Sequence, residues 1–361
     1  MGAMTVLDTR RIPMVTVALA PLERFVEDCF RAMGLDAEAA ALTRHALIYS
    51  ELRFHPGQGQ GVRRLTAYRD RIARGVIDPK ARPEVVKESP ALALVDANNG
   101  LGSVVGITAM RLAVAKAKVS GVGAVVVRGG THYGSSAVHA HEAVTAGCVG
   151  IAMTNAGPEM AAWGGATAMV GTNPWGIGAP SDLGFPVILD IALTTAGKGM
   201  MRWHAREGLP MPRDWALTPE GEETDDPNAA MAGALLGIGQ YKGYGLSLMT
   251  DVMTGVLSGG AFGRAPYSNP LRQDVSHTFL AFDIAWFMEL ATFEKRLGDL
   301  ARDIRTSRPR AGITEVLVPG ELEHRREMDK RRSGVPLDAD VHAELEGLGR
   351  DLGVPAPEPA R

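Results

Sequence analysis

Residues 91–136, ALALVDANNGLGSVVGITAMRLAVAKAKVSGVGAVVVRGGTHYGSS, decide the fold of this chain. An apolar run of strand length leads through a glycine-containing turn into a long alanine-rich segment, and a second apolar run, GAVVV, follows. Strand, turn, helix and strand in this order are typical of an α/β unit. The stretch therefore predicts a mixed α/β fold and places the polar residues from Thr131 onward just after a strand.

The rest of the chain divides into a helical N-terminal region and a mixed remainder. Helical periodicity covers residues 19–53, where Asp36 has the position of an N-cap, and residues 62–75, where Gly75 ends the helix. Further strands are predicted in VGIAMTN (149–155), FPVILDIA (185–192), HTFLAFDI (277–284) and ITEVLV (313–318). Further helices are predicted in SSAVHAHEAVTAG (135–147), from near Thr194, in YGLSLMTDVMTGVLSGG (244–260), in FMELATFEKRLGDLARDIRTS (287–307), and twice in the polar tail.

Composition narrows the class of protein. With 361 residues the chain is long enough for two domains, or for one large domain with an appended lobe. The net charge is −3, so the chain lacks the excess positive charge that is expected of a protein that binds nucleic acid or an anionic membrane. Cys29 and Cys148 cannot build a disulfide framework, which fits a reducing compartment. Because no signal-peptide core or run of membrane-spanning length is visible, we expect a cytoplasmic protein.

The segment NNGLGSVVG (98–106) lies between a strand and a helix, where a dinucleotide-binding fingerprint would stand. Its glycines at 100, 102 and 106 are spaced one residue too widely for the common pattern. The second strand ends in Arg128 and two glycines instead of the expected acidic residue. The pattern therefore favours an ordinary strand-to-helix turn, with a phosphate-binding loop for NADP as the alternative.

Histidines cluster in THYGSSAVHAHE (131–142). On a helix His139 and His141 are about 200° apart, so they cannot readily share an ion, and no metal site is predicted. No Gly-x-Ser-x-Gly motif of a hydrolase occurs either. His132 directly follows a strand, in a loop of the kind that presents side chains to a cleft. An imidazole there can move a proton near neutral pH, although a structural histidine fits the position equally well.

Several segments, in one order, resemble the malate/L-lactate dehydrogenase family of NAD(P)-dependent oxidoreductases. They are residues 96–136, GIAMTNAGPEMAAWGG (150–165), MVGTNPWGIGAP (169–180), PVILDIALT (186–194) and GQYKGYGLSLMTDVMTGVLSGG (239–260). The family includes ureidoglycolate, sulfolactate and diketogulonate dehydrogenases and cyclic-imine reductases of the piperideine-2-carboxylate type. The resemblance runs from about Val15 to Leu352.

This resemblance implies an NAD(P)-binding domain that is not a Rossmann domain, flanked by a helical region formed from both termini. It implies an N-terminal helical region with a substrate loop (15–80), a catalytic NAD(P)-binding α/β domain (81–310) and a C-terminal strand and helices that pack back on the first region (311–352). It also implies a homodimer with active sites near the subunit boundary, a small substrate that carries a carboxylate, and NAD or NADP as the cofactor.

The resemblance also implies roles for individual residues. His132 matches the family's proton-carrying histidine, with Thr131 where the family has asparagine, and Asp190 matches the carboxylate that orients it and stabilises its protonated form. Residues that match nucleotide-contacting segments are Pro186, Val187, Ile188, Leu189, Asp190, Ile191, Ala192, Tyr241, Lys242, Gly320 and Glu321.

The substrate side departs from the family's pattern. Where relatives have Asp-Ser-His-Gly-Val-x-Arg-Leu, Gly59 replaces the serine and Gln60 the histidine, while Arg64 keeps the arginine that grips a carboxylate. Ala156 replaces a substrate-contacting serine. Gln60 can form hydrogen bonds but carries no proton at neutral pH. A site with fewer polar groups should prefer a substrate with fewer hydroxyls, or an apolar or imine group.

We therefore expect an enzyme that transfers a hydride between nicotinamide and a small 2-hydroxy or 2-oxo acid. One alternative is a cyclic 2-imino acid reductase with the same fold and cofactor. Another is a catalytically weakened nucleotide-binding homologue, which the loss of the loop histidine would favour.

Overall fold

The computed structural model describes residues 13–55 and 58–360. Its strands are β1 (Met14–Val17), β2 (Glu84–Glu88), β3 (Leu92–Asp96), β4 (Val122–Gly130), β5 (Cys148–Thr154), β6 (Met160–Ala161), β7 (Ala168–Val170), β8 (Trp175–Ala179), β9 (Val187–Ile191), β10 (Val275–Asp283) and β11 (Val335–Asp338). Its helices are α1 (Leu19–Ala32), α2 (Ala37–Arg53), α3 (Arg64–Ala73), α4 (Gly102–Ser120), α5 (Ser136–Thr145), α6 (Lys198–Glu207), α7 (Pro227–Ala232), α8 (Tyr241–Asp251), α9 (Leu290–Thr306), α10 (Glu321–Ser333) and α11 (Ala339–Leu352). Short 3-10 turns lie at Arg213–Trp215 and Ile284–Trp286, and a π-helical turn, Val252–Val256, extends α8.

A seven-stranded sheet forms the centre of the molecule, in the order β2-β3-β4-β10-β5-β8-β9. Among the described strands only β3 and β4 pair in parallel, and the other neighbours in this sheet are antiparallel. A doubly wound dinucleotide-binding sheet is mostly parallel, so this sheet is of a different kind. The predicted mixed α/β fold is confirmed.

The glycines within residues 91–136 allow close packing between β3, α4 and the start of the β4–α5 loop. A Cβ on Gly102 would lie 2.3 Å from the Thr131 carbonyl oxygen, and one on Gly106 would lie 2.5 Å from the His139 ring. The turn before them contains Asn98 at φ 50° and Asn99 at φ 61°, a conformation that asparagine tolerates. Protein atoms fill the space on these glycines, as expected of an ordinary strand-to-helix turn.

The two ends of the described chain meet in one apolar cluster. β1 pairs antiparallel with β11, and buried side chains of α1 and α3, among them Phe25 and Tyr68, share a core with Leu345 of α11. Helix α2 begins as predicted, because the Asp36 side chain accepts a hydrogen bond from the backbone N–H of Ala39 at 2.8 Å. This cluster holds α3 against the central sheet.

Two predicted elements differ in the structure. Residues 313–318 form no strand, because the segment leads into the start of α10: Val318 donates its N–H to Glu321, and Pro319 accepts one hydrogen bond from Ile188 of β9 at 3.3 Å. The helix expected near Thr194 begins only at Lys198, because Thr194 and Thr195 remain extended and bond residues 236–238 instead.

Within residues 13–55 and 58–360, no helix is both long enough and apolar enough to cross a bilayer. The longest of them, α4, has 19 residues, and buried and exposed positions are mixed along it.

Candidate active site

A large cleft of about 1170 Å³ opens beside the carboxyl ends of β4 and β9. One wall is the loop before α3 and α3 itself, and the opposite wall is the segment from Asp190 to Trp215, which includes α6. The loops after β4 and β5, together with Tyr267, complete it. A cleft of this size holds a ligand larger than a small acid alone.

His132 lies half-buried in this cleft, in the loop after β4. Its Nδ1 is 2.9 Å from the hydroxyl of Tyr68 on α3, and its backbone N–H donates to Gln273 Oε1 at 2.7 Å. Burial, followed by the positive charges of Arg64 and Arg71, holds the pKa of His132 well below its usual range. The imidazole is therefore neutral at pH 7, with its ring orientation set by Tyr68.

Asp190 lines the same cleft at the end of β9, but it has a different partner from the one predicted. Its Oδ2 accepts a hydrogen bond from the backbone N–H of Ala137, in the first turn of α5, at 2.8 Å. Burial raises the pKa of Asp190 to about 7, against these backbone hydrogen bonds and with a smaller contribution from Glu323. The His132 ring is bonded to the Tyr68 hydroxyl, whereas Asp190 is bonded to the first turn of α5, so the orienting role of Asp190 stays a prediction.

Helix α3 presents Arg64, Tyr68 and Arg71 to the cleft region from one face, at i, i+4 and i+7. Arg64 Nε and Arg71 Nη1 are buried, and neither atom has a hydrogen-bond partner among the described residues. Burial lowers the pKa of Arg64, and Arg71 lowers it further, although a guanidinium stays charged at neutral pH. Two half-buried guanidiniums that form no ion pair among the described residues make a site for an anionic group.

The loop that departs from the family's pattern places one of its two replaced residues in the cleft. Gln60 lines it, and its buried Oε1 has no partner in the described part of the chain. Gly59 instead borders an adjoining cavity of about 30 Å³, and its φ of +63° is one that glycine adopts without strain. The substrate contact predicted for Gly59 stays a prediction, whereas Gln60 offers a free acceptor to a ligand.

Ala156 lines the floor of the cleft, where a buried polar network fixes its backbone. Its N–H donates to Asn173 Oδ1 at 2.9 Å, and Asn173 Nδ2 donates to Asp251 Oδ2 at 3.2 Å. Asn155 completes the network by donating to Asp251 Oδ1 at 3.1 Å. Asn155, which follows β5, and Asn173, which precedes β8, thus hold these two loops in fixed positions relative to each other.

Only part of the predicted nucleotide-contacting set lies on this cleft. Asp190, Ile191 and Ala192 line it. The residues that do not line it are Pro186, Val187, Ile188, Leu189, Tyr241, Lys242, Gly320 and Glu321. Gly320 packs on β9, where a Cβ would lie 3.0 Å from the Ile188 nitrogen, and Glu321 is buried in hydrogen bonds with Val318 and Arg325.

The prediction missed a set of polar residues that line or face the cleft: Tyr68, Arg71, Glu159, Lys198, Arg202 and Tyr267. Tyr68 and Arg71 were visible in principle, since they follow Arg64 at helical spacing. Burial raises the pKa of Glu159, against Lys198, Arg202 and Arg64. The cleft therefore holds polar groups beyond those that the sequence indicated.

In the described ranges 13–55 and 58–360, no group of three or more His, Cys, Asp or Glu side chains is arranged to hold a metal ion. His139 faces Tyr133 in a ring stack at 4.4 Å, on the packed side of α5. Its Nε2 lies 3.1 Å from the Tyr133 carbonyl oxygen, so this histidine belongs to the core.

A half-buried imidazole beside two guanidiniums, at the strand ends of a mixed sheet, is a site that can bind an anion and exchange a proton with it. A family model described as malate/L-lactate dehydrogenase matches residues 17–346. The chain belongs to the malate/L-lactate dehydrogenase family.

Similar proteins cover nearly the whole chain. A malate dehydrogenase from Pyrococcus abyssi is 34% identical over 339 residues, which is 91% of this chain and 93% of that protein. An L-sulfolactate dehydrogenase from Methanocaldococcus jannaschii is 32% identical over 336 residues, 92% of this chain and 96% of that protein. The crystal structure of malate dehydrogenase from Entamoeba histolytica superposes with a TM-score of 0.92 at 31% identity, covering 96% of this chain and 100% of that chain. Other relatives are a ureidoglycolate dehydrogenase (NAD(+)), a (2R)-3-sulfolactate dehydrogenase (NADP(+)) and a Delta(1)-pyrroline-2-carboxylate reductase.

Proposed function

We propose that this protein is an NAD(P)-dependent oxidoreductase that transfers a hydride between nicotinamide and a small 2-hydroxy or 2-oxo acid. The observation that carries this proposal is the pair of half-buried guanidinium groups of Arg64 and Arg71, each with a buried nitrogen that has no hydrogen-bond partner among the described residues, beside the neutral imidazole of His132. The relatives' use of NAD(+) or NADP(+) supports the choice of cofactor.

The residues of this chain divide the work between binding and proton transfer. The substrate carboxylate binds Arg64 and Arg71, where charge-assisted hydrogen bonds replace its hydration. A nicotinamide nucleotide, when bound, would supply or accept the hydride. His132 exchanges a proton with the substrate oxygen, while Tyr68, 2.9 Å from Nδ1, holds the ring so that Nε2 faces the reacting group. A bound carboxylate offsets part of the positive charge of the two guanidiniums and so raises the pKa of His132 from its lowered value.

The wall opposite α3 fits the anionic part of a nicotinamide nucleotide. Thr194 is buried and lines the cleft, and its Oγ1 has no hydrogen-bond partner among the described residues. Immediately after it, Gly197 and Lys198 form the N-terminus of α6, which also faces the cleft. Hydroxyl, helix N-terminus and lysine are the groups that bind phosphate, so these residues would hold the cofactor together with Asp190, Ile191 and Ala192.

The proposal is tested by following the fluorescence of NADH and of NADPH separately, with pyruvate, oxaloacetate and piperideine-2-carboxylate as substrates. We expect one nucleotide to be oxidised with a 2-oxo acid. Nucleotide binding without oxidation by any of the three would instead identify a catalytically weakened homologue, whose one supporting feature is Gln60 in place of a histidine.

A cyclic 2-imino acid is the second candidate substrate, with the same fold and cofactor. The half-buried carboxylate of Glu159, which lines the cleft with Arg64, favours it, because a protonated imine with a carboxylate carries both charges. A relative named Delta(1)-pyrroline-2-carboxylate reductase is in keeping with it. Faster oxidation of the nucleotide with piperideine-2-carboxylate than with either 2-oxo acid would establish this candidate.

A homodimer is part of the proposal, and the apolar surface of α8 supports it. Leu246, Met249, Val256 and Leu257 are between 44% and 66% exposed and follow one another at helical spacing, and the nearby Phe262 is 54% exposed. Monomeric proteins rarely leave such a stripe in water. An isologous contact between two copies would bury it.

The proposed organisation has three parts: residues 15–80, residues 81–310 with the NAD(P) site, and residues 311–352, with a helical region built from the first and last. The pairing of β1 with β11 supports this arrangement. A cytoplasmic location is also proposed, supported by Cys29 and Cys148, which are both buried and free.

A further inference from the structure

Tyr267 has an unusual backbone conformation at the edge of the cleft. Its φ is +63°, in the left-handed region that a bulky aromatic residue rarely adopts. Residues held in this way tend to lie at ligand sites, where the surrounding structure stabilises the strained backbone. Here a hydrogen bond from the Tyr267 N–H to the Gln273 carbonyl oxygen, at 2.8 Å, closes the turn.

The same turn is bonded to the proton-carrying histidine. The Gln273 side chain is buried, and its Oε1 accepts the backbone N–H of His132 at 2.7 Å. Gln273 therefore joins the loop that carries Tyr267 to the loop that carries His132. The position of the Tyr267 ring is thereby coupled to the position of the imidazole.

Glycine makes room for the Tyr267 ring inside the cleft. A Cβ on Gly157 would lie 3.1 Å from Cδ2 of the ring, so any other residue there would press against it. The Tyr267 side chain lines the cleft, in the electrostatic neighbourhood of Arg71, Arg64, Tyr68 and Glu159. Burial raises the pKa of this hydroxyl, which keeps it protonated and able to donate.

Tyr267 is 39% exposed and lines the cleft, and its hydroxyl forms no hydrogen bond to another described residue. Two other residues that line the cleft have no hydroxyl. Ala156 has no polar side-chain atom, and the side-chain carbonyl oxygen of Gln60 is an acceptor that has no partner among the described residues. The donors left for a bound anion are thus the two guanidiniums and the Tyr267 hydroxyl, because the Tyr68 hydroxyl is bonded to His132. Such a set suits a carboxylate with a neighbouring oxygen, as in a 2-oxo acid.

We propose that Tyr267 contacts the substrate directly and that its hydroxyl donates a hydrogen bond to the substrate carboxylate beside Arg64 and Arg71. This inference rests on the proposed function, since it takes a 2-oxo acid as the substrate. It makes Tyr267 a specificity-determining residue, because a substrate without the carboxylate cannot accept this hydrogen bond.

The test compares Tyr267→Phe with the wild-type protein, using Tyr244→Phe as the matched control. Tyr244 packs against an apolar cluster of Met160, Val170 and Leu193, and it does not line the cleft. Both variants lose one oxygen and keep the ring, so the strained backbone of Tyr267 is retained. Three quantities are measured: KM and kcat for pyruvate and oxaloacetate, the Kd of NADH or NADPH, and the Kd of oxamate by calorimetry with the nucleotide bound.

For Tyr267→Phe we expect KM and the Kd of oxamate to rise about tenfold or more, the loss of one hydrogen bond to a charged group. The Kd of the nucleotide and the melting temperature should stay at the wild-type values, and Tyr244→Phe should match the wild type throughout. An unchanged oxamate Kd, or a lower melting temperature with unchanged KM, would overturn the inference by making the residue merely structural. If the wild type binds oxamate but reduces no 2-oxo acid, the proposed function fails while the oxamate comparison still decides the role of Tyr267.

Discussion

At the scale of single residues, His132 and Asp190 have different surroundings in the cleft, which shift their pKa values in opposite directions. His132 lies near two guanidiniums and is kept neutral, whereas Asp190 lies at the start of α5 with a pKa of about 7. A field of fixed positive charge favours the neutral imidazole, and burial favours the neutral carboxylic acid. Both groups are therefore uncharged in the free enzyme at slightly acid pH, which leaves Arg64 and Arg71 to attract the substrate.

His132→Ala should abolish turnover while nucleotide binding survives. Loss of general acid–base catalysis lowers kcat by about 10²- to 10⁴-fold, whereas the residues proposed to bind the nucleotide are untouched. Turnover and the Kd of NADH and NADPH are measured together. His45→Ala, a change at a half-exposed histidine paired with Glu142, is the control and should keep full activity. Turnover near the wild-type level in His132→Ala would contradict the assignment.

Asp190→Asn should change how stability depends on pH. In the folded protein Asp190 has a pKa of about 7 against an ordinary value of 3.8, so between these values the folded state holds a proton that the unfolded state has released. The wild type therefore loses stability as pH rises from 4 to 8, by up to about 4 kcal/mol from this group. Urea unfolding of both proteins at pH 5 and pH 8 is the measurement. The variant should gain stability over the wild type at pH 8, and an equal difference at both pH values would show that Asp190 is already ionised at pH 5.

At the scale of elements, α3 carries most of the anion site. Arg64, Tyr68 and Arg71 share one of its faces, and the far side meets solvent through Asp70 and Ala73. Leu65 and Tyr68 are also buried in the core formed by both ends of the chain. The helix is thus fixed by its packing, which lets it hold two cations close together.

Arg71→Met should raise KM for a 2-oxo acid by about tenfold or more, since the carboxylate loses one charge-assisted donor. Because Arg71 does not move the proton, kcat should change by only a few fold. Arg74→Met tests the same chemical change on the exposed end of the helix and should leave both constants unchanged. A fall in kcat with constant KM would instead show that Arg71 acts in the transition state.

Sequence reasoning was strongest where a pattern is local. The strand-turn-helix-strand unit of residues 91–136 placed His132 at a strand exit, and the resemblance placed Arg64 and Asp190, which all line the cleft. It was weakest where distant segments meet. Tyr267 and Gln273 reach His132 from more than 130 residues away in sequence, and no local signal marks them. β8 was missed for a different reason: Gly176 and Gly178 interrupt its apolar pattern because α5 packs directly on the strand.

At the scale of the whole molecule, the exposed stripe of α8 should form the contact between two copies. The double variant Met249→Glu, Leu257→Glu places charges in this stripe. It should convert a dimer into a monomer, because burying an unpaired charge has a high free-energy cost. Light scattering coupled to size-exclusion chromatography gives the mass. Leu300→Glu, at a position that is 56% exposed on α9, is the matched control and should remain dimeric. Dissociation by the control alone would place the contact on α9.

The order of the central sheet also bears on how the protein behaves at high concentration. A sheet edge with free N–H and C=O groups is a template for other chains, and here the edges are β2 and β9. β9 is partly covered, because Ile188 donates to Pro319 and Gly320 packs on the strand. β2, with the sequence EVVKE, is exposed along its length but carries a charged side chain at three of its five positions. One edge is shielded by the chain itself and the other by charge, so neither invites the edge-to-edge stacking from which fibrous aggregates grow.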